Sequence, residues 1–228
     1  MLGVLAKKIG MTQVFDAEGN AIPVTVLEFL ENVVTEKKTV EKHGYNAVQL
    51  GGQTETHENR VSKGEIGNFK KKNLPIFRFL KEYRVPKEIV DKYEIGAELD
   101  PAEILGAEGE LIDATARPIG RGTRGRIKRW NQHRRLMTHG TKHHRQIGSA
   151  GAGTNPGRVF KGLKMPGRES HDVTISHLTV FKYFPEKKVV LVKGAVPGYK
   201  GAFISLRKSR KKGEWNKSAL QVGKRQAA

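Results

Sequence analysis

Residues 173–193, VTISHLTVFKYFPEKKVVLVK, carry the clearest strand pattern of the chain. Val173–Phe184 and Val189–Lys193 are rich in β-branched and aromatic residues, and the turn sequence Pro185-Glu-Lys-Lys188 lies between them, so they read as two consecutive strands. A Pro197-Gly198 loop and a further strand over Ala202–Leu206 follow. The other end of the chain has the same character. Gly3–Ile9, Thr12–Phe15 and Ala21–Phe29 read as strands around a turn at Asp16–Asn20, with Pro23 near the start of its strand, where a missing donor is tolerated. Val33–Val40 and Tyr45–Leu50 flank Glu41-Lys-His-Gly44 as a second hairpin. Many short strands at regular spacing imply an all-β barrel or sandwich.

Between these ends the β pattern lapses twice. Gly51–Gly67 is polar and loop-like, Phe69–Val85 reads as partly helical until Pro86 interrupts it, and Lys87–Tyr93 reads as a short helix. Together they make a small α-containing excursion from the barrel over about residues 52–95. Ala97–Leu105 and Glu110–Ala116 are candidate strands separated by Gly106 and Gly109.

The second lapse is Ala114–Arg168, with 14 Lys or Arg, 10 Gly, 3 Pro and no Asp or Glu. Like charges without counter-charges repel, and the apolar residues (among them Ile119, Trp130, Leu136, Met137, Phe160 and Met165) are too scattered for a core. Strands on both sides make the segment an insertion that leaves the barrel and returns. Glycine permits close backbone approach, and arginine presents a planar fork that matches phosphate oxygens and stacks on bases. Such a segment calls for a polyanion to order it. A flexible basic linker is the plain alternative, but the length exceeds ordinary loops and the glycine turns are interleaved with apolar anchors. The organisation expected is a discontinuous body over 1–113 and 173–206, an insertion over 114–172, and a basic, disordered tail over 207–228.

Charge placement agrees with this. Of the net charge of +19, residues 114–168 carry +14 and residues 207–228, with 8 basic residues against Glu214, carry +7, so the rest of the chain is close to neutral. Polyanion affinity is concentrated in one insertion and one tail. With no cysteine there is no disulfide framework, thiolate nucleophile or Cys-type zinc site. No run of 18 apolar residues exists, and the N-terminus lacks a signal-peptide core, so no membrane partner is expected.

Three motifs invite chemistry and fail in context. Gly120-Arg-Gly-Thr-Arg-Gly125 matches the dinucleotide fingerprint, yet Pro118 precedes it, no helix-opening apolar pattern follows, and the next acidic residue is Glu169. His133, His139, His143 and His144 could bind a metal, but Arg134, Arg135, Lys142 and Arg145 oppose a cation there, so base stacking or phosphate bonding suits them better. Ser149, Thr154 or Ser170 could be nucleophiles, but the insertion supplies no acidic orienter. Neither catalytic residues nor a metal site are expected, and no small-molecule substrate or cofactor beyond Mg2+ carried by RNA. Trp130, Phe160 and Met165 are either base-stacking residues or pins that dock the insertion; Trp130 is open between the two.

The run Met137–Arg168, MTHGTKHHRQIGSAGAGTNPGRVFKGLKMPGR, closely resembles the signature of the bacterial-type large-subunit ribosomal protein three family. KKIGMTQVF (Lys7–Phe15), GYNAVQLG (Gly44–Gly51) and VVLVKGAVPGYKG (Val189–Gly201) agree in the same order, and the resemblance covers nearly all of residues 2–206. It implies a closed β-barrel of translation-protein type, with a long irregular insertion running through large-subunit ribosomal RNA toward the peptidyl transferase centre. It also implies early binding in assembly, near the RNA's 3′ end, beside ribosomal proteins fourteen and nineteen. The RNA-binding residues expected are Lys7, Lys8, Arg121, Arg124, Arg126, Lys128, Arg129, Arg134, Arg135, His139, Lys142, His143, His144, Arg145, Arg158, Lys161, Lys164 and Arg168. By position, Gly148, Ser149, Ala150, Gly151, Ala152, Gly153, Thr154 and Asn155 form the tip nearest the catalytic RNA. The location implied is a ribosome, in a bacterial cytoplasm or a plastid or other organelle matrix. A free RNA-binding assembly chaperone is the alternative.

The chain departs from the family in an arginine-richer run over 118–136, in Glu169-Ser-His-Asp172, and in the extra tail. The tip glutamine that some bacterial members carry methylated falls on Thr154, so that modification is expected to be absent.

Overall fold

The computed structural model describes residues 1–15, 19–105 and 108–210. In chain order the strands are β1 Gly3–Phe15, β2 Ala21–Phe29, β3 Val33–Lys38, β4 Ala47–Thr54, β5 Phe77–Arg84, β6 Leu111–Ala116, β7 Thr123–Arg124, β8 Gly167–Arg168, β9 Val173–Phe184, β10 Val189–Lys193 and β11 Phe203–Lys208. The helices are α1 Val40–His43, α2 Lys63–Lys71, α3 Lys87–Lys92, α4 Pro101–Leu105 and α5 Arg126–Trp130. The chain divides into two units, Met1–Arg117 with the chain from Asp172 onward, and Pro118–His171.

In the first unit β1, β11, β6, β9, β10 and β2 close into an antiparallel barrel. Of the two architectures the strand spacing left open, closure selects the barrel, which leaves no unpaired edge. Its interior is small and branched: Val4, Ala6, Leu27, Ile112, Val192 and Ile204 are all fully buried. A three-stranded sheet, β3-β4-β5, builds a second core on the outward residues of β1. Successive side chains of a strand face opposite sides, so Val4 and Ala6 enter the barrel while Leu5 joins Val34, Val48 and Leu50 outside it. Both faces of β1 are thus covered, and Gly3-Val-Leu-Ala6 shows no polar alternation.

The seam between barrel and sheet depends on space and on hydrogen bonds. A Cβ at Gly3 would strike the Leu206 carbonyl oxygen and the Tyr83 ring, so glycine admits that ring. The Tyr83 hydroxyl lies 2.7 Å from Ser205 Oγ and donates to Val4 O at 3.3 Å. Burial pushes its pKa up, keeping the hydroxyl protonated. Asn32, fully buried, accepts from Leu5 N (2.6 Å) and donates to Leu30 O (2.7 Å) and Leu5 O (3.3 Å).

In and just beyond the excursion the structure differs from expectation in three places. Phe77–Arg84 is a strand, β5, with Val48 opposite Tyr83 and Gly52 opposite Phe79. Tyr83 and Phe79 pack on the second core while Phe77 is buried against Phe69, and burying these rings through pairing with β4 overrides the helix propensity of the Lys, Glu and Arg between them. A helix forms earlier instead. Ser62 and Glu65 make a reciprocal capping box that starts α2 inside a stretch read as loop. Ala97–Leu105 is not a strand: Asp100 Oδ1 accepts from Ala102 N at 2.9 Å, and α4 carries Leu105 into the barrel core.

The limits expected for the insertion and the tail shift. β6 continues to Ala116 and pairs with Val173–Ile175 of β9, so Ala114–Ala116 belong to the barrel. Arg207 and Lys208 pair with Asp113 and Ile112 in β11, where the sequence suggested a tail; the rest of that tail, 211–228, lies outside the described residues, as does most of the turn at 16–20.

Candidate nucleic-acid interface

The second unit, Pro118–His171, is held together by polar contacts at its base. β7 pairs with β8, Thr123 opposite Arg168 and Arg124 opposite Gly167. α5 then places Arg129 and Trp130 so that both donate to one carbonyl, Met165 O, at 3.1 and 2.8 Å. Glu169 completes this base. It is the first carboxylate after Asp113. It ion-pairs with Arg124, and Arg129 Nε lies 3.5 Å away. The hydrogen bond from Arg124 holds the Glu169 carboxyl below the usual range.

The pH dependence follows from that direction. A carboxylate with a depressed folded pKa contributes stability above its unfolded value, about 4.3 for glutamate, and loses it as pH falls through the folded value. Glu169→Gln should therefore speed amide hydrogen exchange across β7 and β8 by roughly two- to five-fold at pH 7. The difference from wild type should close below about pH 4. Equal exchange at neutral pH would show that Glu169 does not hold this base.

Beyond the base, contacts are local. Arg135 N donates to His144 O at 3.2 Å, and His144 Nδ1 lies 3.0 Å from Leu136 O, closing the loop between them. At the expected tip Ser149 Oγ donates to Gly151 O (2.8 Å), Gly157 N donates to Gly153 O (3.2 Å), and the Asn155–Pro156 peptide is cis.

No described residue between 118 and 171 is buried. Leu136 is 67% exposed, Ile119 60% and Phe160 59%, with the Arg158 guanidinium over the Phe160 ring at 5.1 Å. Arg121, Lys128, Arg134, Arg135, Lys142, Arg145, Arg158, Lys161, Lys164 and Arg168 are exposed, as are His139 and His143; Arg126 and His144 are half-buried. Among the described residues, the only cations of this unit in ion pairs are Arg124 and Arg129.

Three expected RNA ligands have other duties. Lys8 is 8% exposed, and its ammonium donates to Val196 O (2.6 Å) and Gly198 O (3.2 Å) in the body; burial lowers its pKa. That lysine is an internal fastener, because its donors are taken up by carbonyls away from solvent. Arg124 and Arg129 are engaged by Glu169 and Met165 O. Lys7 is half-buried on β1. Trp130 is a pin through its indole N–H, although 40% of its surface remains open. The glycine fingerprint at 120–125 contains β7 within itself, so it does not join a strand to a helix in the way a dinucleotide site requires. Among the described residues no three His, Asp or Glu converge as metal ligands.

The sequence reading missed Glu169 as the organising carboxylate; the signal was its position as the sole acid between Asp113 and Asp172.

The family model described as Ribosomal protein L3 matches residues 88–182. The chain is 44% identical over 210 residues to a large ribosomal subunit protein uL3 of Carboxydothermus hydrogenoformans, covering 92% of this chain and 98% of that one. It is 44% identical over 212 residues to the uL3 of Petrotoga mobilis, covering 92% and 97%. A uL3c of Gracilaria tenuistipitata var. liui is 42% identical over 206 residues, covering 90% and 98%.

Proposed function

Since the chain belongs to the ribosomal protein L3 family, a structural and non-enzymatic component of the large ribosomal subunit, we infer that Pro118–His171 is its principal site for large-subunit ribosomal RNA. One observation carries this. The unit holds 13 Lys or Arg against the single acid Glu169 and buries none of its own side chains. A protein segment of that charge, with its apolar groups open, lacks a core and needs a polyanionic partner with flat apolar surfaces, which structured RNA supplies.

The contacts divide by chemistry. The exposed arginines and lysines neutralise phosphates, releasing counterions. Phe160 with Arg158, and the exposed imidazoles of His139 and His143, stack on bases or bond to phosphate. Arg124 and Arg129 keep the frame. The tip, Gly148–Asn155, lies near the peptidyl transferase centre and braces RNA there without doing chemistry. Binding occurs early in assembly, near the RNA's 3′ end, with ribosomal proteins fourteen and nineteen as neighbours. No cofactor of the protein's own is required, and Mg2+ enters with the RNA.

The test is RNA binding across a salt series, paired with limited trypsin digestion. With roughly 6 to 10 phosphate contacts, affinity should fall by about 10³ to 10⁵ between 50 and 200 mM salt. Free protein should be cut within 118–171 while the body survives, and bound RNA should protect those sites. Salt-independent affinity, or cleavage unchanged by RNA, would refute the assignment. A chain that binds but is lost from finished subunits on salt washing would be an assembly chaperone instead.

A further inference from the structure

The body carries a pocket of about 360 Å³ beside the seam between barrel and sheet, lined by Phe79, Lys81, Arg117, Asp172, Tyr199 and Phe203 among others. Its floor is aromatic: the Phe79 and Phe203 rings stack at 4.8 Å and 10°. Its rim is Tyr199, 60% exposed. An exposed tyrosine is ordinary on a surface, but this one sits on a turn fixed from beneath. Lys8 binds Val196 O and Gly198 O, Gly201 N donates to Lys8 O at 2.6 Å, and Ala202 N donates to Tyr199 O at 3.0 Å. Gly198, at φ +102, allows the turn to close, since a Cβ there would lie 2.8 Å from that of Ala202. The backbone that carries the ring is therefore held in place before anything binds.

Charge identifies the occupant. Asp172, the lining carboxylate, is paired with Lys81 at 3.5 Å. Arg117, in the lining, and Lys200, beside Tyr199, are exposed and pair with no carboxylate among the described residues. Lys7 stands opposite Phe203 in the β1–β11 register and so shares its face of the sheet. An aromatic platform with the unpaired Arg117 in its lining fits a base with its phosphate. An apolar peptide would satisfy the rings and leave the cations unmatched.

We propose that this pocket takes one unpaired nucleotide of the large-subunit RNA, its base stacked on Tyr199 and its phosphate met by Arg117. The assignment rests on the RNA-binding function proposed above and adds a contact on the body, outside 118–171.

The test uses the full chain and large-subunit RNA. Tyr199→Ala should weaken binding by roughly 5- to 150-fold with the salt slope unchanged, because stacking releases no counterion. Tyr199→Phe should retain the affinity, and Arg117→Gln should lower the slope by about one. Chemical probing should find a base shielded by wild type and exposed with Tyr199→Ala. If wild type binds with steep salt dependence and Tyr199→Ala binds equally well, the pocket assignment is wrong while the RNA-binding function stands. Loss of a neighbouring ribosomal protein from subunits assembled with Tyr199→Ala, with RNA affinity intact, would make the pocket a protein site and likewise overturn the assignment. If wild type does not bind the RNA at all, both fall together.

Discussion

Replacement of residues 118–171 by a short Gly-Ser linker should leave the body folded and reduce its affinity for large-subunit RNA at physiological salt by roughly 10³-fold or more. The splice is geometrically mild. Ala116 and Val173 are direct partners in the β6–β9 ladder, so a few residues reconnect the strands. The excised unit shares no buried residue with either core, because it has none, and both core clusters consist of residues outside 118–171. Thermal unfolding of the body should accordingly shift by only a few degrees. Affinity should respond very differently. Removing 13 cations leaves a body close to neutral apart from its basic C-terminal end, so the salt slope should flatten together with the loss in affinity. Subunit reconstitution with this variant should stall, or yield particles defective in peptidyl transfer. If the truncated chain assembles normally and supports full activity, 118–171 is a dispensable basic loop.

The second large effect is expected at Asn32→Asp, a change of one atom. Asn32 Oδ1 accepts from Leu5 N, while its Nδ2 donates to the carbonyls of Leu30 and Leu5 in a fully buried site. Aspartate keeps the acceptor and loses both donors, setting an oxygen against two carbonyl oxygens. A buried charge without a compensating partner destabilises by about 3 to 5 kcal/mol. Denaturant melts should show that loss at pH 7. Burial would raise the new carboxyl's folded pKa, so its best stability lies below the unfolded value near 3.9, where the protonated acid can donate, and declines as pH rises. Asn32→Ala should cost less, about 1 to 3 kcal/mol, and show no such pH trend. A variant as stable as wild type at pH 7 would remove Asn32 from the account of how barrel and sheet are joined.

The two halves of the chain were unequally legible. In β9 and β10 the strand limits Val173–Phe184 and Val189–Lys193 follow from local composition, and the structure has the same limits. β5 misled for a physical reason. Its Lys81, Glu82 and Arg84 favour helix locally, and only pairing with β4 makes burial of Phe77, Phe79 and Tyr83 worth more than that preference. Asn32 and Gly3 gave no local sign at all, since their roles are defined by Leu5, Leu206 and Tyr83, the last two far along the chain.

Charge shows the same division. That a Gly- and Arg-rich segment without acids interrupts a β body, and that the chain resembles a ribosomal family, was readable from residue order alone, because net charge, period and motif are properties of neighbouring residues. Which cations remain free to meet a phosphate depends on the folded arrangement. Lys8 binds a carbonyl 188 residues away, Arg124 and Arg129 are gathered by Glu169, and Arg117 stays open beside Tyr199. The availability of a charged group depends on burial and on partners brought in by the fold, and those are set by packing over distances that no local pattern records.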